Sequence, residues 1–193
     1  MIRLRSLSPQ EIREHLASHE FAFSYLEVGA TADLESRTES LRSSGYDVDL
    51  RQFPLGRGRS VFEQARSALR SWRHLEIPWL HFYGSDHAAF PDQLVATAIS
   101  VFGIQFINPC RVIYFDEFSN AIRLAYGTLT GHAECGEERF SVSIDPSTEI
   151  VNYEIASFSR PDAFLARAGY PIVRRLQRRF VVSSADALKQ ACA

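Results

Sequence analysis

From Leu94 onward the chain alternates apolar and polar residues with a period of two, which is typical of half-buried β-strands. The segments that show this pattern are 111–115, 122–126, 139–144 and 151–155. The first is almost continuously apolar, as in a central strand. Turn-like links, 117–120 and 145–148, are short enough to join neighbouring strands. The pattern predicts an antiparallel meander of four strands.

After Phe158 the period of the apolar residues becomes helical. Pro161 is predicted to start a short helix that ends at Gly169, and Pro171 to start a longer one. The longer helix carries an apolar stripe made of Ile172, Leu176, Phe180 and Leu188. Its arginines, predicted to lie largely opposite, are Arg174, Arg175, Arg178 and Arg179. An amphipathic helix after a meander needs an apolar surface to cover, and the sheet supplies one.

Two helices are predicted nearer the N-terminus. Ser8 caps the first, with Pro9 at its first position and Glu11 completing a capping box. The second follows a glycine-rich turn, with Ser60 as its N-cap and Glu63 three residues later.

Two short strands are predicted in the same half of the chain. One runs over residues 23–29, and the other follows Gly45 and continues through Val48, Leu50 and Phe53. The fold class is therefore α+β, in one domain over residues 1–193, with the antiparallel meander gripping the long C-terminal helix.

Composition narrows the function classes. The chain has 193 residues, 46% of them apolar and 23% charged, as in ordinary globular domains. The net charge of −2 argues against non-specific nucleic-acid binding. The three cysteines, at positions 110, 135 and 192, form no disulfide or metal-binding pattern and favour a reduced, cytoplasmic setting. Residues 1–20 lack the apolar run of a signal peptide, and no segment is apolar enough to span a bilayer.

Several motifs, in one order along most of the chain, resemble a family of uncharacterised bacterial and plant proteins, domain of unknown function 1990. They include F-S-Y-L-E-V-G-A-T from Phe23, N-P-C-R-V-I-Y from Asn108, Y-G-T-L-T-G-H-A-E-C-G-E-E-R-F from Tyr126 and R-R-L-Q-R-R-F from Arg174. Thr130 and Ala133 depart from the family pattern, which usually has proline at both places. The resemblance implies a helix-grip fold of the Bet v 1/START-like type, with a cavity between sheet and helix that takes an apolar ligand.

The segment 131–139 is the richest in reactive side chains and is interpreted as a loop between two strands. His132, Glu134 and Glu138 are the candidate acid/base residues, because histidine titrates near neutral pH and a carboxylate can orient it. A solvated turn would carry the same residue types. A metal site made of His132, Glu134 and Cys135 has no distinctive spacing, so no metal and no cofactor is predicted.

Candidate ligand-binding residues come from the predicted strands and the second helix: Trp72, Arg111, Tyr114, Arg123, Tyr126 and Tyr153. The two arginines, and Glu154 with them, either point into a cavity and meet a polar group or point outward and pair across strands. The aromatic residues either line a pocket or belong to the core.

Three functions remain open at this point. The leading one is binding of a small apolar or amphipathic molecule in an internal cavity. The second is an enzyme that acts on such a ligand through His132, Glu134 and Glu138. The third is a protein-interaction module that uses the arginines of the C-terminal helix. The phosphate-binding and nucleophile-elbow motifs of common enzyme classes are absent from the sequence.

Overall fold

A computed structural model describes residues 2–3, 8–18, 22–84, 88–101, 103–162 and 170–192. The α-helices of this part are α1 (Pro9–Ser18), α2 (Leu34–Ser43), α3 (Arg59–Arg70) and α4 (Tyr170–Ala191). Two 3-10 helices cover Ala30–Asp33 and Arg73–Leu75. The strands are β1 (Ile2–Arg3), β2 (Asp47–Arg57), β3 (Leu80–Tyr83), β4 (Leu94–Val101), β5 (Ile104–Glu117), β6 (Ala121–Thr128), β7 (Glu134–Ile144) and β8 (Ile150–Pro161).

The strands form one antiparallel sheet in the order β2-β8-β7-β6-β5-β4-β3, with β1 paired to β5. Strands β5 to β8 are the predicted meander, and the turns predicted at 117–120 and 145–148 lie between its strands. The long strand β5 pairs with β4 through residues 104–111 and with β6 through residues 110–117. The predicted α+β class, an antiparallel sheet with a long C-terminal helix against it, is confirmed.

The main core lies between one face of the sheet, here called the inner face, and the helices α3 and α4. Phe140 and Tyr153 of the sheet and Phe62 and Leu69 of α3 are fully buried. Burial of such side chains contributes about 1.5–3 kcal/mol each. The second half of α4 joins this core through Leu188, also fully buried.

The first half of α4 is packed much less tightly than the second. Leu176 and Phe180 are half-buried, and Ile172 is 45% exposed. The predicted apolar stripe therefore joins the core from Phe180, whose ring centroid lies 6.3 Å from that of Phe140, to Leu188, and not at Ile172. Arg174 does not lie on a free opposite face as predicted, because its guanidinium pairs with Asp49 of β2. Arg179 lies over the ring of Trp79, with 4.6 Å between its Cζ and the ring centroid.

The opposite, outer face of the sheet explains why residues 23–29 do not form the predicted strand. Phe23 makes an isolated bridge to Leu129, and the chain then turns into the 3-10 helix. The buried carboxylate of Glu137 accepts hydrogen bonds from the Tyr25 hydroxyl (2.9 Å), from the backbone N–H groups of Gly29 (2.7 Å) and Thr31 (3.0 Å), and from the Thr31 hydroxyl. These charge-assisted bonds outweigh the β propensity of the segment.

Helix starts agree with the sequence in one case and differ in two. The capping box of α1 is present: the Ser8 N–H donates to Glu11 (2.7 Å) and the Glu11 N–H donates to the Ser8 hydroxyl (3.2 Å). The predicted cap at Ser60 is wrong, because α3 begins at Arg59 and its N-cap is Gly58, two residues before Ser60, where the φ of 93° favours glycine. Pro161 ends β8 instead of starting a helix, and the rest of that predicted helix lies outside the described residues.

Candidate functional site

A cavity of about 590 Å³ separates the inner face of the sheet from the first half of α4. This volume is within the range of about 300–1,000 Å³ that ligand pockets occupy. Its apolar wall comes from β3, β4, β5 and α4, and includes Leu80, Ile99, Val101, Ile104, Phe106, Val173, Leu176, Phe180 and Val181. The cavity exists because α4 is held away from the sheet at its N-terminal end by long polar side chains.

Those side chains form a chain of contacts from β2 to β7. Arg174 donates two hydrogen bonds to the carboxylate of Asp49, over 2.7 and 3.2 Å, and a third to Oε1 of Gln177 over 2.7 Å. Gln177 then donates from Nε2 to Oε1 of Glu134 (2.7 Å) and to the hydroxyl of Ser159 (3.0 Å). These hydrogen bonds therefore fix the first half of α4 to three strands, β2, β7 and β8.

The register of the sheet creates a polar row on the cavity floor. Asp49 of β2 lies opposite Ser157 of β8, Ser157 lies opposite Glu138 of β7, and Glu138 lies opposite Tyr126 of β6. All four residues line the cavity. The half of the cavity over β2, β8 and β7 is thus polar and acidic, whereas the half over β5, β4 and β3 is mainly apolar.

Glu138 lies at the centre of this row. Its carboxylate accepts a hydrogen bond from the Tyr126 hydroxyl over 2.8 Å. Burial raises the pKa of Glu138 to about 7, and the negative charges of Glu134 and Asp49 act in the same direction. Neither Glu138 nor Glu134 forms an ion pair within the described part of the chain. A carboxyl group with this pKa can exchange a proton near neutral pH.

Glu134 lies four residues earlier on the same face of β7. Burial raises the pKa of Glu134 to about 7 as well, although the hydrogen bond from Gln177 and the charge of Arg174 oppose this. Two carboxyl groups that each ionise near neutral pH therefore share one cavity. Sites of this kind are typical of ligand binding or acid–base chemistry.

His132 occupies the short loop between β6 and β7 and also lines the cavity. Its Nδ1 accepts a hydrogen bond from the backbone N–H of Glu134 over 2.9 Å, so the neutral ring carries its proton on Nε2. Burial lowers the pKa of His132 to about 3, so the ring is neutral at physiological pH. In this state it offers one N–H donor and no positive charge.

The structure brings the three predicted acid/base residues and Tyr126 together in one cavity, but the predicted loop over residues 131–139 is wrong. Strand β7 already begins at Glu134. Alternation along the strand then directs Glu134 and Glu138 to the inner face, whereas Cys135 and Glu137 pack on the outer face. Burial raises the pKa of the Cys135 thiol, the opposite of what activates a nucleophile.

The other five predicted ligand-binding residues lie outside the cavity wall. Trp72 packs against Phe82, with ring centroids 4.8 Å apart. The Tyr153 hydroxyl hydrogen-bonds to Ser184 over 2.8 Å in the core, where the two groups satisfy each other.

The other three, Tyr114, Arg111 and Arg123, make their contacts with residues outside the cavity. Tyr114 shares a hydrogen bond with the Thr31 hydroxyl over 2.8 Å. Arg111 and Arg123 lie over the rings of Phe23 and Phe118, at 5.6 and 5.7 Å. Glu154, whose orientation the sequence left open, pairs with Arg139 over 2.8 Å.

Sequence reasoning missed Asp49, Arg174 and Gln177 as parts of this site. The residue types of strand β2 suggest the wrong inner face, because the apolar Leu50 is 45% exposed while the charged Asp49 faces the cavity. Only the register with β8 reveals the orientation.

Two further properties concern the described residues alone. They contain no group of three or more histidine, cysteine, aspartate or glutamate side chains that could hold a metal ion. None of their helices has the length and apolarity required to cross a bilayer.

A long C-terminal helix across an antiparallel sheet, with a cavity between them, defines a helix-grip protein. Solved structures that the chain resembles include the aromatase/cyclase ZhuI of Streptomyces sp. R1128 (TM-score 0.55, 10% identity, 76% of this chain and 93% of that one) and a hypothetical protein of Helicobacter pylori (TM-score 0.52, 15% identity, 77% and 88%). The architecture is of the Bet v 1/START-like type, as the sequence resemblance implied.

The chain belongs to the family described as domain of unknown function DUF1990, whose model matches residues 24–187. A UPF0548 protein of Dictyostelium discoideum is 30% identical over 206 residues, which cover 99% of this chain and 95% of that protein. A UPF0548 protein of Arabidopsis thaliana is 32% identical over 161 residues, covering 75% and 72%. The predicted family is therefore confirmed.

Proposed function

We propose that this protein binds a small amphipathic molecule in the cavity between the sheet and the first half of α4. The observation that carries the proposal is the cavity of about 590 Å³, with an apolar wall on β3 to β5 and α4 and a polar row on β2, β8, β7 and β6. The ligand's apolar part lies against Phe106 and Leu176, and its polar end lies towards Glu138.

The energetic argument rests on the apolar wall. Apolar surface that faces water is unfavourable by about 25 cal/mol per Å². A ligand that covers this wall removes that surface from water without requiring α4 to move inward. The polar contacts of Arg174 and Gln177 keep the helix in place, so the site is largely formed before the ligand arrives.

Native mass spectrometry of the protein purified without detergent tests the proposal, because a retained ligand appears as added mass. Leu176→Trp fills part of the cavity and should abolish the added mass, whereas Arg175→Trp on the exposed face of the same helix should keep it. Equal retention by both variants would place the ligand elsewhere and contradict the proposal.

A second candidate is an enzyme that acts on such a ligand. The observation that favours it is the pair Glu134 and Glu138, in which burial raises the pKa of each carboxyl to about 7, beside the neutral His132. One carboxyl donates a proton to the ligand and another group accepts one, as in general acid–base catalysis.

Identification of the molecules bound to the wild type and to three variants separates the two candidates. The variants are His132→Ala, Glu134→Gln and Glu138→Gln. An enzyme that loses an acid or base slows about 10²–10⁴-fold, so the variants should accumulate a precursor of the compound found in the wild type. The same compound in all four proteins contradicts catalysis and leaves binding.

A further inference from the structure

The acidic half of the cavity indicates what kind of polar end the ligand carries. We infer that the ligand is an amine whose protonated nitrogen binds the carboxylate of Glu138, near the charge of Glu134, with an apolar body that extends over β5 and β4. The inference rests on the proposed function, because it specifies the ligand of the same cavity.

The first step of the argument is the balance of charge around Glu138. Of the other acids that line the cavity, Glu137 directs its carboxylate to Tyr25 on the outer face, and Asp49 is paired with Arg174 at 2.7 Å, which leaves Glu134. The carboxylates of Glu138 and Glu134 form no ion pair within the described residues. Among the residues that the structure describes, each carboxylate has a neutral hydrogen-bond donor, the Tyr126 hydroxyl for Glu138 and the Gln177 amide for Glu134.

The second step concerns the positive groups at the cavity. Arg51 and Arg178 are exposed and therefore solvated, whereas Arg174 is held by Asp49. His132 is neutral and has its Nδ1 engaged by the backbone of Glu134. Hence the inward-facing groups of the described residues supply two carboxylates and no free cation, and a carboxylate shielded from water without a cation is unfavourable.

The third step is the comparison of ligand head groups. An ammonium group donates up to three hydrogen bonds and its charge relieves the repulsion between Glu138 and Glu134. An alcohol supplies hydrogen bonds but no charge, and a carboxylate adds a third negative group to the same place. An amine therefore fits this half of the cavity better than either, while the apolar half accepts the same hydrocarbon body in all three cases.

The pH dependence of binding gives a separate signature. Burial raises the pKa of Glu138 and of Glu134 to about 7 in the free protein. An alkylamine keeps its proton up to about pH 10. Binding of its ammonium lowers the carboxyl pKa again, so the amine's affinity rises with pH between about 5 and 8 and the complex releases protons. An alcohol shows no such rise, and a carboxylate binds more weakly as pH increases.

Isothermal titration calorimetry of the full chain with decylamine, decanol and decanoate tests the inference. At pH 8 decylamine should bind at least tenfold more tightly than decanol, and decanoate should bind most weakly. The amine's affinity should rise at least tenfold between pH 5 and pH 8.

The variant Glu138→Gln retains the size of the side chain and an acceptor for Tyr126 but removes the charge. It should weaken decylamine about ten- to a hundredfold and leave decanol within about twofold, since hydrogen bonds to charged groups contribute about 1.5–3 kcal/mol. Glu134→Gln should act in the same direction, and Glu39→Gln, whose side chain is 89% exposed, should change nothing. If the first variant does not fold, Glu134→Gln and the pH series decide.

The outcomes separate this inference from the proposed function. Equal or tighter binding of decanol or decanoate, or an amine affinity that Glu138→Gln leaves unchanged, overturns the amine and leaves the cavity as a binding site. Absence of binding by all three probes, together with no added mass in the purified protein, contradicts the proposed function itself.

Discussion

Gln177 of α4 donates a hydrogen bond to Glu134 of β7 over 2.7 Å and thereby joins the helix to the strand that carries the acidic residues of the cavity. The same amide reaches Ser159 of β8. The first half of α4 therefore depends on side-chain hydrogen bonds, whereas its second half is held by buried apolar residues such as Leu188. The two halves of one helix should differ in local stability for this reason.

Replacement of Gln177 by Ala should loosen the first half of α4 without unfolding the protein. The variant removes hydrogen bonds that contribute about 0.5–1.5 kcal/mol each. Hydrogen exchange should accelerate for the amides around Arg174 and remain slow around Leu188. Gln190→Ala is the matched control, because Gln190 is exposed on the same helix. This variant should leave hydrogen exchange around Arg174 and around Leu188 unchanged. Uniform acceleration along α4 would contradict the division of the helix into two halves.

Glu137 should be far more important for stability than the glutamates of the cavity. Its carboxylate accepts hydrogen bonds from Tyr25, Gly29 and Thr31, and a glutamine would place an N–H₂ group against one of these donors. Glu137→Gln should lower the free energy of unfolding by about 2–4 kcal/mol, measured as a shift of the urea midpoint. Glu39→Gln, at an exposed position, should leave the midpoint unchanged. A small effect of Glu137→Gln would mean that other contacts hold residues 23–33.

The segment around Glu137 shows how much of the fold and of the site follows from the sequence alone. The meander and the final helix follow from local periodicity, because each strand alternates over enough residues to fix its inner face. The same alternation, extended backward from Phe140, would have placed Glu138 and Glu134 on the inner face and Glu137 on the outer face. Interpretation of 131–139 as a loop concealed this, because its glycines and charged residues are typical of turns.

The rest of the site depends on contacts between distant segments, which periodicity does not contain. The pair Asp49 and Arg174 is separated by 125 residues along the chain. Residues 23–29 have the composition of a strand, but hydrogen bonds to Glu137 impose another conformation. In both cases a polar contact across the fold decides the local structure.

Replacement of the buried His74 by Phe should stabilise the folded protein. His74 is fully buried between Trp72 and Phe140, and neither ring nitrogen has a hydrogen-bond partner among the described residues. His74→Phe removes the unsatisfied groups and keeps the aromatic packing, so it should raise the free energy of unfolding by about 1 kcal/mol. His81→Phe at an exposed position is the control and should be neutral. A destabilised His74→Phe variant would show that the ring nitrogens have partners that stabilise the fold.

The pH dependence of stability should report the two cavity carboxyls. Burial raises the pKa of Glu134 and of Glu138 to about 7, well above the value of about 4.3 in an unfolded chain. Between these two values the folded state binds more protons than the unfolded state, so these residues make stability fall as pH rises from about 4.5 to 7. His74 and His132 act in the opposite direction, because burial lowers the pKa of each to about 3.

Comparison of the wild type with the double variant Glu134→Gln/Glu138→Gln separates the effect of the carboxyls from that of the histidines. The measurement is urea unfolding of the ligand-free proteins between pH 5 and pH 8. The double variant should gain stability relative to the wild type as the pH rises. A difference that stays constant over this range would show that the carboxyls ionise at ordinary values, and the cavity would then be well hydrated around them.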